Sequence, residues 1–167
     1  MTEDFIADEY SDPLSDYEPA EYSSEIRRVL AEGCVMDMQV QPHAEVSSKT
    51  TIGDAVRVLH DLKISSLLVV DDGKLVGIFT ERDVLEKVAE QFTKMADLPV
   101  SEVMVVDPIV VYESDPVAAA LAAIAVGGYR HVPVLSLAGE VLGVMSPRRV
   151  NCFLQQRFLD ELNYASE

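Results

Sequence analysis

The chain has 167 residues, 49% of them hydrophobic, and carries 29 acidic against 13 basic side chains for a net charge of −16. That length and apolar content suit one domain of ordinary size with a real core. A charge this negative repels nucleic-acid phosphates and anionic lipid surfaces, so no nucleic acid and no membrane are expected as partners.

Residues 1–22 are rich in Asp and Glu, carry Pro13 and Pro19, and show neither helical nor strand period, so they are expected to form a disordered acidic tail. Met1-Thr2-Glu3-Asp4 opens without a basic region or apolar stretch, which argues against a signal peptide. The longest purely apolar run, Val117 to Val126, is too short to span a bilayer, and a cytoplasmic protein is expected. Ser23 or Ser24 is placed to cap a leader helix within 23–33, with Ile26, Val29 and Leu30 on one side and Gly33 as its stop. Cys34 and Cys152 fit no zinc spacing and make no disulfide framework; they read as ordinary thiols, and no metal site is expected.

A first unit is expected over 34–98. Thr51 with Asp54 three residues on resembles a capping box, and Ile52, Ala55, Val56, Leu59 and Leu62 follow helical spacing. Leu67-Leu68-Val69-Val70 is a continuous apolar run of strand length, so both its faces should be covered. Asp71-Asp72-Gly73-Lys74 is a tight turn, and Leu75 to Phe79 returns as the second strand of a hairpin. Thr80 then caps a helix whose buried face is expected to carry Val84, Leu85, Val88, Ala89 and Phe92.

A second unit is expected over 99–164, after the boundary Leu98-Pro99. Ile109-Val110-Val111 reads as a short strand, and Ser114 or Asp115 as the cap of a helix with Pro116 at its first position. Gly127-Gly128 ends that helix, Val132–Leu135 and Val141–Met145 form a hairpin, and Ser146-Pro147 starts a last helix running to about Tyr164.

The two units are one motif written twice. The offset is 64 from Ala55 to Ala119, 65 from Val69 to Val134 and 66 from Gly77 to Gly143, a drift that two single-residue insertions explain. Units this small should bury their cores against each other. The expected fold is α+β: two β-α-β-β-α repeats related by a pseudo-twofold axis and packed through their sheets. Gly77-Ile78-Phe79-Thr80-Glu81-Arg82-Asp83 and Tyr129-Arg130-His131-Val132-Pro133-Val134, in matching order, resemble CBS domains, named after cystathionine β-synthase. Two in tandem resemble a Bateman module. The resemblance implies a regulatory domain that holds an adenine nucleotide between repeats, and modules that pair into a homodimer.

Asp83, near a helix start, can accept hydrogen bonds from ribose hydroxyls, and the resemblance places the ribose carboxylate there. Thr80 and the free N–H groups of the same turn can hold a phosphate oxygen. The plainer reading of the pair is a capping box that needs no ligand. In the second unit Ser146 matches Thr80, but Arg149 stands where Asp83 does, and a guanidinium cannot accept from ribose. Ser146, Arg148 and Arg149, at that helix start, are read as phosphate contacts instead. The resemblance implies basic groups facing the phosphates at Arg130 and His131, which are read as phosphate contacts too, and Val46, Ile78 and Phe79 are read as an adenine wall. Three histidines, two isolated cysteines and no phosphate loop support no catalytic constellation, so the chain is not expected to be an enzyme, and no cofactor is expected.

Two functional readings stand at this point. One is a stand-alone sensor whose regulatory ligand is AMP, ADP or ATP, and whose geometry an unknown protein target reads. The other is a ligand-free interaction scaffold with an acidic recruiting tail.

Overall fold

The computed structural model describes residues 25–38, 40 and 42–164; the expected acidic tail and the capping serines Ser23 and Ser24 lie outside the described residues. Helix α1 (Glu25–Glu32) leads, followed by a 3-10 turn at Val35–Met38. The first half holds β1 (Glu45–Val46), α2 (Ile52–Leu62), β2 (Ser66–Asp71), β3 (Lys74–Thr80), α3 (Glu81–Asp83) and α4 (Phe92–Met95). The second holds β4 (Val105–Val106), β5 (Val111–Tyr112), α5 (Val117–Ala125), β6 (Val132–Leu135), β7 (Val141–Met145) and α6 (Pro147–Tyr164). The class is α+β. Among the described residues, no helix is long and apolar enough to cross a membrane.

Two sheets form, in the orders β1-β2-β3-β4 and β5-β6-β7. In each, a parallel leading strand lies beside an antiparallel hairpin. Both hairpins bulge at equivalent places, between Val69 and Val70 and between Val134 and Leu135. One insertion is visible: Asp72 and Gly73 turn the first hairpin with φ of 50° and 75°, whereas Leu137-Ala138-Gly139 turns the second. The other lies ahead of the second hairpin, where Val126-Gly127 precedes Gly128, the counterpart of the left-handed Lys63.

Side-chain alternation divides each hairpin between two environments. Leu67, Val69 and Phe79 point to the helices of the first half, with Ile52, Ala55, Leu59 and Val88. Leu68 and Ile78 point the other way and meet Val144 of the second sheet, with Val70, Leu75 and Val141 at the margin. That contact joins the sheets face to face, and it accounts for the unbroken apolar run 67–70.

The packing crosses over between halves. Val35 and Met38 belong to the core of the second half, beside Val117, Val132 and Val150. Val100 and Val103 belong to the core of the first. Backbone bridges Cys34–Pro116 and Thr51–Pro99 fasten the two crossings, and the same 65-residue offset relates them. The segment that leads into each repeat thus folds onto the other repeat, so the cores do not follow the division 34–98 and 99–164.

Three local expectations need correction. Pro116 is the N-cap residue of α5 and Asp115 does not cap it; the Asp115 carboxylate instead accepts from the Tyr112 N–H at 2.7 Å. The strand expected at Ile109–Val111 forms at Val111–Tyr112. The helix after Thr80 is not continuous: α3 passes into a π turn at Val84–Val88 and a 3-10 turn at Ala89–Gln91 before α4. A π turn holds an extra residue and shifts the phase of everything beyond it. Val88 stays buried, while Leu85 is 73% and Phe92 41% exposed.

Candidate functional site: two clefts across the pseudo-twofold

Thr80 ends β3 with extended backbone and caps α3. Its hydroxyl accepts from the Asp83 N–H at 3.4 Å, and Asp83 Oδ2 accepts from the Thr80 N–H at 2.9 Å and the Thr80 hydroxyl at 2.7 Å. The capping box read from the sequence is therefore formed. Asp83 is only 5% exposed. Lys87 Nζ, one turn on, lies 2.7 Å from its other oxygen.

Asp83 and Thr80 line a cleft of about 310 Å³ between the halves. The first half contributes Ser65, Ile78, Glu81 and Arg82 as well. The second contributes Val105, Asp107, Pro108 and Ile109 from its leading segment, and Gly128 to His131 from the approach to β6. The acidic group and the basic pair Arg130/His131 thus face one space. Ile78 and Ile109 give it an apolar wall.

The expected places of Val46 and Phe79 are corrected. Phe79 is fully buried on the helix side of the first sheet, and Val46 packs against that same core. Neither lines the cleft. The reason is the two-residue period of β3, which turns Ile78 and Thr80 one way and Phe79 the other. Pro108 and Ile109 line the cleft in their stead. A signal existed: Pro42 and Pro108 repeat at the offset of 66 that relates Gly77 to Gly143.

A second cleft, of about 650 Å³, repeats the arrangement with the halves exchanged. Ser146 and Arg148 stand where Thr80 and Arg82 stood, Val144 replaces Ile78, and Pro42 and His43 replace Pro108 and Ile109. Arg149, in the place of Asp83, is among the lining residues of neither cleft, and its buried Nε has no hydrogen-bond partner. Ser65, Glu81, Arg130 and His131 line both clefts and form the wall between them.

His131 Nε2 shares a 2.8 Å hydrogen bond with the Ser65 hydroxyl, joining the halves at that wall. Burial lowers the His131 pKa; the Glu81 carboxylate opposes the shift and the Arg130 guanidinium adds to it.

Residues 36–90 and 100–151 both match the family model of the CBS domain, together more than half the chain. Among related proteins, the CBS domain-containing protein CBSCBSPB5 of Arabidopsis thaliana is 33% identical over 101 residues, which is 60% of this chain and 18% of that protein. The chain therefore spans less than a fifth of that relative. Among solved structures, the CBS domain protein PAE2072 from Pyrobaculum aerophilum, complexed with AMP, is 25% identical with a TM-score of 0.66, over 78% of this chain and 98% of that one. The CBS domain pair of protein MJ0100, in complex with 5′-methylthioadenosine and S-adenosyl-L-methionine, is 26% identical with a TM-score of 0.64, over 74% and 96% of the two chains. With two matched copies of the unit on one pseudo-twofold fold, this chain belongs to the CBS domain family.

Proposed function

We propose that the chain is a regulatory module that binds an adenine nucleotide (AMP, ADP or ATP) in the first cleft. The observation that carries this reading is the meeting of Thr80 and Asp83 with Arg130 and His131 around one space, each pair from a different repeat. Asp83 takes the ribose, Thr80, Arg130 and His131 the phosphate, and Ile78 and Ile109 the adenine. The ligands of the two related structures, AMP and adenosyl compounds, support the ligand class.

The ribose grip has a geometric condition. A carboxylate offers about four acceptor positions. Thr80 N–H, Thr80 Oγ and Lys87 Nζ already use three at Asp83. To accept from both ribose hydroxyls, Asp83 gives up the Thr80 hydroxyl, which rotates to the phosphate. Ligand entry then exchanges one hydrogen bond for several.

The repeats are taken as 34–98 and 99–164, with 23–33 as leader and 1–22 as an acidic tail. The module acts as a homodimer in the cytoplasm, and the exposed Phe158, Leu159 and Leu162 of α6 supply apolar surface for pairing. Ligand binding biases the angle between modules only as far as the ligand prefers one arrangement. A partner protein reads that angle; the module itself regulates and does not catalyse.

Calorimetric titration with AMP, ADP, ATP, NAD and S-adenosylmethionine tests the reading. Saturable binding that weakens in Asp83→Ala is expected. Absence of binding to all five overturns it. The rival, a ligand-free scaffold, draws on the three partners that Asp83 already holds, and predicts that melting is unmoved by every nucleotide.

A further inference from the structure

The second cleft differs from the first in its chemistry. Its lining includes Lys63, Arg130 and Arg148 against one carboxylate, Glu81, in a chain whose net charge is −16. Among the described residues, none of these three cations is in an ion pair with a carboxylate. Ser65, Ser66 and Ser146 add hydroxyl groups. The acid that would hold a ribose is replaced by Arg149, and the Ile109 of the apolar wall is replaced by His43, which bonds Glu45 at 2.7 Å.

We infer that the second cleft is a receptor for a chain of two or more phosphates, with no second nucleoside, in which Lys63 and Arg148 are the discriminating cations. Guanidinium and ammonium groups around hydroxyls match phosphate oxygens, and desolvation in a cleft strengthens each charge-assisted bond. The shared wall gives the route: Arg130 and His131 line both spaces, so a phosphate chain that leaves a nucleoside in the first cleft runs past them towards Lys63 and Arg148. That nucleotide source rests on the proposed reading of the first cleft. A free oligophosphate needs only the second.

Both cations can be removed without touching the core. Lys63 is exposed and has a left-handed backbone that Asn tolerates, and Arg148 is exposed at the start of α6. The experiment is calorimetric titration of the full chain, at fixed ionic strength, with AMP, ATP and tripolyphosphate. It uses the native protein, Lys63→Asn/Arg148→Gln, and Asp83→Ala. The native protein is expected to bind tripolyphosphate at one site and ATP more tightly than AMP. The double variant is expected to weaken tripolyphosphate by about tenfold or more while leaving AMP within about twofold.

Competition separates the sources. Tripolyphosphate displaced by ATP but not by AMP identifies the nucleotide tail as occupant; tripolyphosphate bound alongside saturating ATP identifies a separate oligophosphate. No tripolyphosphate binding, or affinity unchanged in the double variant, overturns the inference. So does a second AMP bound per chain and lost on removing Lys63 and Arg148. Failure of the first-cleft reading looks different: AMP affinity is then unchanged in Asp83→Ala while tripolyphosphate still depends on Lys63 and Arg148.

Discussion

Lys87 Nζ lies 2.7 Å from Asp83 Oδ1 and donates to the Val103 carbonyl at 2.6 Å. The pair is i,i+4, and Lys87 sits in the π turn that interrupts the helix after Thr80. Val103 lies on the segment that crosses into the first core. One ammonium group therefore ties the carboxylate of the first cleft to the crossing segment. Lys87→Met keeps the aliphatic stem and leaves a buried carboxylate without its cation. Losing one partner of a fully buried pair costs 3–5 kcal/mol; because Lys87 is half exposed, about 1–2 kcal/mol is expected here. Urea denaturation of Lys87→Met, Asp83→Asn and the double variant measures it. A double variant more stable than the sum of the single effects is expected.

Gly77 faces the crossing segment from the sheet. A Cβ there would come 2.5 Å from Met104 Sδ and 3.0 Å from the Val105 carbonyl oxygen. The methionine can move; the carbonyl belongs to β4, which pairs with β3 at Gly77–Val106. Gly77→Ala is expected to push β4 off the edge and cost about 1–3 kcal/mol, seen as a lower urea midpoint. Val105 also walls the first cleft, so AMP affinity should fall with it. Gly73→Ala is the contrast. Its Cβ meets nothing, but φ is +75°, and only about 1–2 kcal/mol of backbone strain is expected.

What is local was legible in the sequence. Thr51 and Thr80 cap the helices expected of them, the Asp72-Gly73 turn closes a hairpin, and duplicated spacing pointed to two facing sheets. The first cleft brings Arg130 and His131 opposite Asp83, at the positions where the family resemblance implies basic groups. What escaped depends on contacts between distant residues. Nothing near Val35 or Val100 in the chain says that each packs in the other repeat's core. The π turn that exposes Leu85 and Phe92 leaves the apolar spacing looking helical. Phe79 was misjudged for another reason: a motif read as a block ignores that neighbouring strand residues face opposite ways.

The wall between the clefts should make the fold acid-sensitive. His131 titrates below 6.5 in the folded protein because burial disfavours its charge, an effect that Arg130 reinforces and Glu81 opposes. Well above 6.5 the imidazole is neutral in both states and costs nothing. As pH falls through that value the unfolded chain takes up a proton first, so stability declines until the folded pKa is passed. The melting temperature is expected to fall from about pH 7 to about pH 5, above the main carboxylate range. His131→Gln keeps a partner for Ser65 and should flatten the decline. Parallel slopes for both proteins would show that burial does not hold His131 neutral.

Melting in the presence of AMP separates capping from binding at Asp83. Both roles predict that Asp83→Ala melts lower, since Thr80 loses its reciprocal partner and Lys87 its carboxylate, at about 1–2 kcal/mol. Only binding predicts a change in the ligand's increment. A ligand that binds the folded state alone at a hundred times its dissociation constant adds about 2.7 kcal/mol. In a chain of this size that raises the midpoint by roughly 5–10 °C. The native protein should show that rise, and Asp83→Ala should show little of it at the same AMP concentration. Arg130→Ala should keep the native baseline, since Arg130 is exposed and makes no ion pair among the described residues, yet lose part of the rise. If Asp83→Ala lowers the baseline and leaves the increment whole, Asp83 serves the helix start alone.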